Sequence, residues 1–159
     1  MGNSMRLRVL IFEDNGILGS TLELRLNDRG YEVCRFSDSG ICPLYAPYDH
    51  SCPLNHACAD IIIWDVNMHA QAGLELIKDL LQRRCKIEYR ALISGDWSDS
   101  EVQYVQKLGC QAFHKPLNIE EMFQWLDDCS SKRIKSERKL SNWAEKHDPI
   151  SETWKRYLL

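Results

Sequence analysis

The chain has 159 residues, a formal net charge of -3, and apolar and charged fractions of 44% and 27%, which is typical of one soluble domain with a short extension. That charge gives no global reason to expect nucleic acid or an anionic membrane surface as a partner. No apolar run reaches the roughly 20 residues of a membrane helix and no secretory signal opens the chain, so we expect a cytoplasmic protein.

The apolar pattern predicts alternating strands and helices along most of the chain. The first strand, over 6–12, is almost continuously apolar, as expected of a strand covered on both faces. A helix is predicted over 15–29, and Gly30 is a suitable residue just beyond its end. Further strands are predicted at 31–36, 61–64, 90–94 and 111–114, and further helices at 73–83, 98–108 and 118–126.

Two of these helices begin with capping signals. Ser98 and Glu101 have the spacing of a capping box. Asn118 is a suitable N-cap for the last predicted helix, which is expected to bury Met122 and Trp125. Both starts support the alternation of strand and helix.

Polar side chains follow four of the five predicted strands directly. Strands that alternate with helices form a parallel sheet, and such sheets bind ligands at the carboxyl ends of their strands. The strand-end residues are Glu13 and Asp14, Asp65, Ser94 and Lys115.

Three carboxylates at one point repel one another and raise one another's pKa values, and a hard divalent cation relieves that repulsion. Mg²⁺ takes oxygen ligands in an octahedron and keeps several waters. Any one of these residues alone could be a solvated polar group at a strand end. The coincidence at four strand ends favours a magnesium site.

These residues carry a resemblance to the receiver domain of two-component response regulators. The matching pieces are "VLIFEDN", "IIIWDVNMHAQAGLEL", "ALISGD" and "FHKP", and the resemblance as a whole covers about residues 5–129. The resemblance implies a flavodoxin-like, doubly wound fold with strand order 2-1-3-4-5. It also implies a signalling protein that catalyses only its own phosphorylation and dephosphorylation.

The resemblance assigns the phosphoacceptor role to Asp65, which would receive a phosphoryl group from a histidine kinase or phosphotransfer protein. It implies that Glu13, Asp14 and Asp65 hold Mg²⁺, with the backbone carbonyl of Asn67 as a further ligand. A phosphatase of the haloacid dehalogenase type would need a second aspartate two residues after the first. Asn67 stands at that position, so this rival is rejected.

The remaining switch residues follow from the same resemblance. Lys115 would pair with Asp65 and then with the phosphoryl oxygens, and Ser94 would hydrogen-bond a phosphoryl oxygen. The interval between Gly109 and Lys115 is one residue shorter than the family pattern. Therefore either Phe113 or no residue acts as the switch aromatic, and Phe113 could equally be a core residue.

The segment between the second and third strands departs from the family pattern, which has a helix there. Pro43, Pro47 and Pro53 argue against a long regular helix, because proline removes a backbone donor and clashes with the preceding turn. A cysteine- and proline-rich segment is therefore expected to replace the second helix.

Cysteines and histidines in this region could bind zinc, or an iron–sulfur cluster if four cysteines take part. Their spacing lacks a paired C-x2-C unit, so packing as small buried residues is the alternative. A metal- or redox-sensing interaction module is accordingly the second functional hypothesis, whereas Cys85, Cys110 and Cys129 are interpreted as structural residues on helices or at their ends. The candidate ligands are Cys34, Cys42, Cys52, Cys58, His50 and His56.

The family pattern ends near residue 130, which predicts a receiver domain over 5–130 and a helical extension over 131–159, without a separate output domain. Asp148 is a suitable N-cap, and Ile150, Trp154 and Tyr157 form a helical apolar stripe. That stripe is expected to pack on the receiver or on a second copy of the chain. The basic stretch before it is interpreted as a solvated helix face, so DNA binding is not expected.

Overall fold

The computed structural model describes residues 6–13, 16–36, 52, 56–65, 70–135 and 140. Five parallel strands form one sheet in the order 2-1-3-4-5, which confirms the predicted fold. The elements are β1 Arg8–Phe12, α1 Gly16–Asp28, β2 Glu32–Phe36, β3 Ile61–Asp65, α2 Ala70–Gln82, β4 Tyr89–Ser94, α3 Asp99–Lys107, β5 Cys110–His114 and α4 Ile119–Lys135.

Helices cover both faces of the sheet, which is why the central strand β3 is buried along its whole length. On one face Leu22 of α1 and Met122 of α4 belong to the same core cluster. On the other face Ile77 of α2 and Val105 of α3 belong to a second cluster. Each such side chain, fully buried, contributes about 1.5–3 kcal/mol to folding.

The predicted helix starts are present. The Ser98 hydroxyl accepts a hydrogen bond from the Glu101 N–H at 3.2 Å, and the Glu101 carboxylate accepts one from the Ser98 N–H at 2.9 Å. The Asn118 side chain accepts from the N–H of Glu121 at 3.3 Å. Gly30 follows α1 with a left-handed φ of 88°, a conformation that glycine adopts without steric cost. Local sequence therefore determines where these helices begin or end.

The amino end of the sheet is held by a buried ion pair that joins β3 to α4. Asp60, directly before β3, is 1% exposed. One of its carboxylate oxygens accepts from the Arg8 N–H at 2.8 Å, and the other accepts from Nε of Arg133 at 2.9 Å. Arg133 also lies 3.7 Å from the Glu88 carboxylate. This anchor explains why α4 continues well past the residue 126 that was predicted as its end.

Two predicted features lie mainly outside the described residues. The cysteine- and proline-rich segment falls on residues 37–55, of which Cys52 is described, and the C-terminal stripe falls on 148–159. Leu140 is described and packs against the core on the face of α2 and α3. None of the helices in the described ranges has the length and hydrophobicity that a membrane-spanning segment requires.

Candidate functional site

Three buried polar residues lie at the carboxyl ends of three adjacent strands. Asp65 ends β3 and is fully buried, Ser94 ends β4 and is 1% exposed, and Glu13 follows β1 and is 3% exposed. Because β3 lies between β1 and β4, Asp65 is the central residue of the three. Burying a charged group is costly unless it is paired and hydrogen-bonded. The cluster therefore needs compensating charge.

Lys115 supplies part of that compensation. Its ammonium nitrogen lies 2.5 Å from Oδ1 of Asp65. Among the described residues, no donor is aligned for a hydrogen bond to either carboxylate oxygen of Asp65, so the ammonium is an ion-pair partner. A carboxylate accepts up to about four hydrogen bonds. Asp65 thus keeps most of its capacity to bind a cation or a donor.

The backbone after β5 places this lysine. The Lys115 N–H donates to the Ser94 carbonyl at 3.0 Å, which continues the pairing of β4 and β5 beyond the strands. The peptide bond between Lys115 and Pro116 is cis. A β-carbon built on Gly95 would lie 3.7 Å from the β-carbon of Lys115, an ordinary packing contact. Lys115 is therefore positioned by the end of β4 as well as by β5, which it follows directly.

Glu13 is packed against the backbone of α1. Its N–H donates to the Phe36 carbonyl at 3.0 Å. A β-carbon at Gly19 would overlap the Glu13 carboxyl group and would come within 2.8 Å of its Cγ. Gly19 thus leaves room for Glu13 inside the site. Sequence reasoning overlooked Gly19, although a glycine in the middle of a helix is unfavourable and is a signal for close packing.

The loop after Ser94 is held by two hydrogen bonds. The Ser94 hydroxyl accepts from the Asp96 N–H at 3.3 Å. The indole N–H of Trp97 donates to the Phe113 carbonyl at 2.9 Å, and the half-buried Trp97 side chain packs against the cluster that contains Ala112. Trp97 was not identified from the sequence. Two features of the sequence could have indicated it. A large aromatic residue lies three positions after Ser94, and β5 contains the small residue Ala112.

The structure places Phe113 in the core. Its side chain is 4% exposed and belongs to the cluster on the face of α1 and α4. Its ring meets the ring of Trp125 edge-on at 5.8 Å. Ala112, the preceding residue, faces the opposite cluster. This position corresponds to the core alternative, and a switch role for Phe113 remains a prediction.

No family model matches the chain. The virulence transcriptional regulatory protein PhoP of Salmonella typhimurium is 27% identical over 116 residues, which cover 73% of this chain and 48% of PhoP. The chain therefore spans about half the length of the curated relatives it matches.

Solved structures agree with this match. A response regulator from Colwellia psychrerythraea is 25% identical, with a TM-score of 0.57 over 80% of this chain and 99% of that one. The receiver domain of Francisella response regulator 1452 is 17% identical, with a TM-score of 0.62 over 80% of this chain and 98% of that one. The chain has the fold of a response-regulator receiver domain. The resemblance inferred from the motifs is thereby confirmed.

The site residues of this domain fit a hard divalent cation. Asp65 presents two buried carboxylate oxygens that accept no hydrogen bond from the described residues, and the Glu13 carboxyl is buried at a neighbouring strand end. Oxygen donors of this kind are those that Mg²⁺ and Ca²⁺ prefer. Asp14 and Asn67, the other predicted ligands, lie outside the described residues.

The structure does not support a zinc or iron–sulfur site in the part of the chain that it describes. Within the described ranges, no group of three or more His, Cys, Asp or Glu side chains is placed to hold a metal. Cys34 and Cys58 are buried against the sheet, whereas Cys52 is half-buried and His56 is exposed. The remaining two candidate ligands, which lie outside the described residues, are Cys42 and His50.

The other three cysteines lie at the end of α2, in β5 and in α4. Cys110 is the first residue of β5, so its placement on a helix or at a helix end was wrong. Burial raises the pKa of Cys110 to about 11 and the pKa of Cys129 to about 12. Both thiols therefore stay protonated and unreactive at neutral pH, which agrees with a structural role. Cys85 has a different environment, described below.

Proposed function

We propose that this receiver domain is a cytoplasmic signalling module that is phosphorylated on Asp65 by a histidine kinase or phosphotransfer protein. The observation that supports this most is the fully buried Asp65 carboxylate, which lies 2.5 Å from the Lys115 ammonium and accepts no well-formed hydrogen bond from the described residues. In the reaction, a carboxylate oxygen attacks the phosphorus of a phosphohistidine. The P–N bond breaks, and its electrons go to the departing imidazole.

Phosphoryl transfer depends mainly on positioning and charge neutralisation. In this proposal Glu13, Asp14 and Asp65 would hold Mg²⁺ together with the backbone carbonyl of Asn67. When bound, the cation would supply positive charge that offsets the negative charge of the phosphoryl oxygens. Glu13 is buried and its carboxyl group is packed against Gly19, so it would lose little conformational freedom on binding the cation.

Lys115 has the second charge-neutralising role. Its ammonium pairs with the Asp65 carboxylate before transfer and with the phosphoryl oxygens afterwards. A lysine suits this change of partner because its charge is compact and its stem is flexible. Phosphorylation adds about one to two negative charges at one point. The phosphoryl oxygens are strong hydrogen-bond acceptors, and the Ser94 hydroxyl turns to donate to one of them.

Movement of Ser94 connects the site to the loop over residues 95–98. If the Ser94 hydroxyl turns to donate to a phosphoryl oxygen, it gives up its bond with the Asp96 N–H. The loop is then restrained mainly by the Trp97 indole on the Phe113 carbonyl. We assign the coupling role to Trp97 because its side chain packs against the core cluster on the face of α2 and α3, whereas the Phe113 ring lies in the cluster on the opposite face.

The proposed output is a protein–protein contact that depends on phosphorylation. Residues 5–130 form the receiver and residues 131–159 a helical extension that docks on the receiver or on a second copy of the chain. The described part of this extension, the end of α4, is fixed to the sheet by Arg133 and Asp60. We propose no catalysis on other substrates and no direct DNA contact, although PhoP is by its name a transcriptional regulator.

Acetyl phosphate tests the proposal without knowledge of the kinase. The protein is incubated with acetyl phosphate and Mg²⁺, and the gain of one phosphoryl group is measured by intact mass. We expect modification of the wild type and of Asp128→Asn, an exposed carboxylate on α4, and its loss in Asp65→Asn. An unmodified wild type in the presence of Mg²⁺, or equal modification of Asp65→Asn, would overturn the proposal.

A further inference from the structure

Cys52, which precedes β3 in the chain, contacts the end of α2 through a backbone hydrogen bond. The helix ends with Arg84 in a left-handed conformation, φ 57°, and the Cys85 N–H donates back to the Leu80 carbonyl at 3.0 Å. Such a turn leaves carbonyls near the helix end that need donors. The Cys52 N–H is such a donor, since it donates to the Arg83 carbonyl at 2.8 Å. This bond places Cys52 beside the turn that carries Cys85.

The two side chains share one environment. Both are half-buried free thiols, and both pack against the core cluster on the face of α2 and α3. Burial is the main cause that raises the pKa of the Cys85 thiol, and the nearby Cys52 thiol raises it further. The Ile87 N–H and the Arg90 guanidinium act in the opposite direction. The thiols are thus close enough to influence each other, and both remain accessible.

We propose that Cys52 and Cys85 are a modification site at which an oxidant forms a reversible disulfide. A disulfide requires Cα atoms roughly 4.4–6.8 Å apart. The backbone bond from Cys52 to Arg83, two residues before Cys85, is compatible with that range. Because cytoplasmic disulfides are rare and mostly transient, the bond would report an oxidising condition and would not be a permanent structural link.

A small-molecule disulfide is the oxidant in this proposal. The Cys52 thiolate attacks one sulfur of the oxidant, so that a mixed disulfide forms and the first small thiol leaves. The Cys85 thiol then loses its proton to solvent, attacks the Cys52 sulfur and releases the second small thiol. The two protein thiols lose two electrons and two protons, which the oxidant takes up. The raised pKa of Cys85 keeps its thiol mostly protonated at neutral pH, so the second step is the slower one and is faster at higher pH. The same raised pKa makes Cys85 a poor leaving group when the bond is reduced.

The bond would enclose the part of the chain that carries the candidate phosphoacceptor. Residues 52–85 include all of β3, Asp65 and α2. The disulfide would also fix Cys52 to the end of α2. It adds a response to oxidation that is independent of phosphoryl transfer. We expect the thermal unfolding midpoint of the oxidised protein to rise by roughly 5–10 °C.

Thiol mapping of the full chain tests the proposal. The protein is equilibrated in mixtures of reduced and oxidised glutathione, quenched in acid, alkylated with N-ethylmaleimide and digested. We expect one peptide pair linked through Cys52 and Cys85, which Cys52→Ser and Cys85→Ser both abolish. Cys110→Ser, the matched control in a buried strand, should retain it.

A measurement on the wild type keeps the test independent of how well the variants fold. In the native protein, Cys52 and Cys85 should lose reactivity toward N-ethylmaleimide in parallel as the glutathione mixture becomes more oxidising. Absence of the linked peptide in fully oxidised glutathione would overturn the proposal. Pairing of Cys52 with Cys42 or Cys58 in place of Cys85 would overturn it as well.

Discussion

The domain buries an aspartate at each end of β3, and the two are held in different ways. Asp60, at the amino end, accepts a hydrogen bond from the Arg8 N–H on one oxygen and from Arg133 on the other. Asp65, at the carboxyl end, lies with one oxygen 2.5 Å from the ammonium of Lys115, yet in the described part of the chain no donor forms a well-aligned hydrogen bond to either oxygen. Both are 1% exposed or less.

This difference separates a stabilising carboxylate from a reactive one. A buried charge is costly unless pairing and hydrogen bonds compensate it, and removal of one partner from a compensated pair is strongly destabilising. Asp60 has full compensation within the fold. Asp65 has only part of it, so a cation that binds there supplies more of the missing compensation. The two ends of one strand therefore serve stability and chemistry separately.

The largest expected effect distinguishes the two aspartates by stability. Asp60→Ala should lower the free energy of unfolding by about 3–5 kcal/mol, because it leaves the Arg133 guanidinium buried without its carboxylate. Asp65→Ala should leave that free energy unchanged or raise it, since Lys115 is 26% exposed and can be hydrated. Urea denaturation measures both values. Equal losses in the two variants would contradict the comparison.

Removal of the ammonium should strengthen cation binding. Lys115 and a divalent cation compete for the same carboxylate, so Lys115→Met should raise the affinity for Mg²⁺ about tenfold, or about 1.4 kcal/mol. Isothermal titration with magnesium chloride measures the change. Lys132→Met, at an exposed position on α4, is the control and should bind as the wild type does. Unchanged or weaker binding in Lys115→Met would show that the lysine does not oppose the cation.

A methyl group on α1 should weaken the same site without unfolding the domain. In Gly19→Ala the new β-carbon displaces the Glu13 carboxyl group, so the affinity for Mg²⁺ should fall about tenfold. The stability should change by less than about 1 kcal/mol, because alanine favours the helix while Glu13 moves. Gly16→Ala, where a β-carbon meets nothing within 4 Å, is the matched control. Equal affinities in the two variants would remove Glu13 from the cation site.

The smallest expected effect concerns the loop at the carboxyl end. Trp97→Phe removes the donor to the Phe113 carbonyl, so it should cost about 0.5–1.5 kcal/mol of stability. It should leave phosphorylation by acetyl phosphate within about twofold of wild type, because the indole does not touch Asp65 in the proposed mechanism. Urea denaturation and intact mass give the two readouts. A complete loss of phosphorylation would place Trp97 in the site itself.

The sequence was sufficient to predict the sheet and the residues at its carboxyl end. Each strand could be recognised locally, and the residue that follows a strand lies at its carboxyl end whatever the rest of the fold does. Parallel pairing then brings Glu13, Asp65, Ser94 and Lys115 to the same edge. The caps at Ser98 and Asn118 were predictable for the same reason, since they depend on residues within one turn.

Contacts between distant residues could not be predicted in this way. Asp60 and Arg133 are 73 residues apart, and no local pattern pairs them. The overlap of Glu13 with Gly19 depends on where α1 crosses β1, and the Trp97 bond depends on how the loop lies over β5. Cys85 lies near Cys52 because the Cys52 N–H donates to the Arg83 carbonyl, and no sequence pattern indicates that bond. Cys85 was therefore interpreted as purely structural.

The most direct test of the account is to locate the phosphoryl group on the chain. After reaction with acetyl phosphate and Mg²⁺, reduction with borohydride converts a phosphorylated aspartate to homoserine, and fragmentation of the peptide that contains both Asp60 and Asp65 identifies the modified residue. The account predicts homoserine at Asp65 and unmodified Asp60. Modification at another residue, or an unmodified peptide from a protein that has bound Mg²⁺, would contradict it.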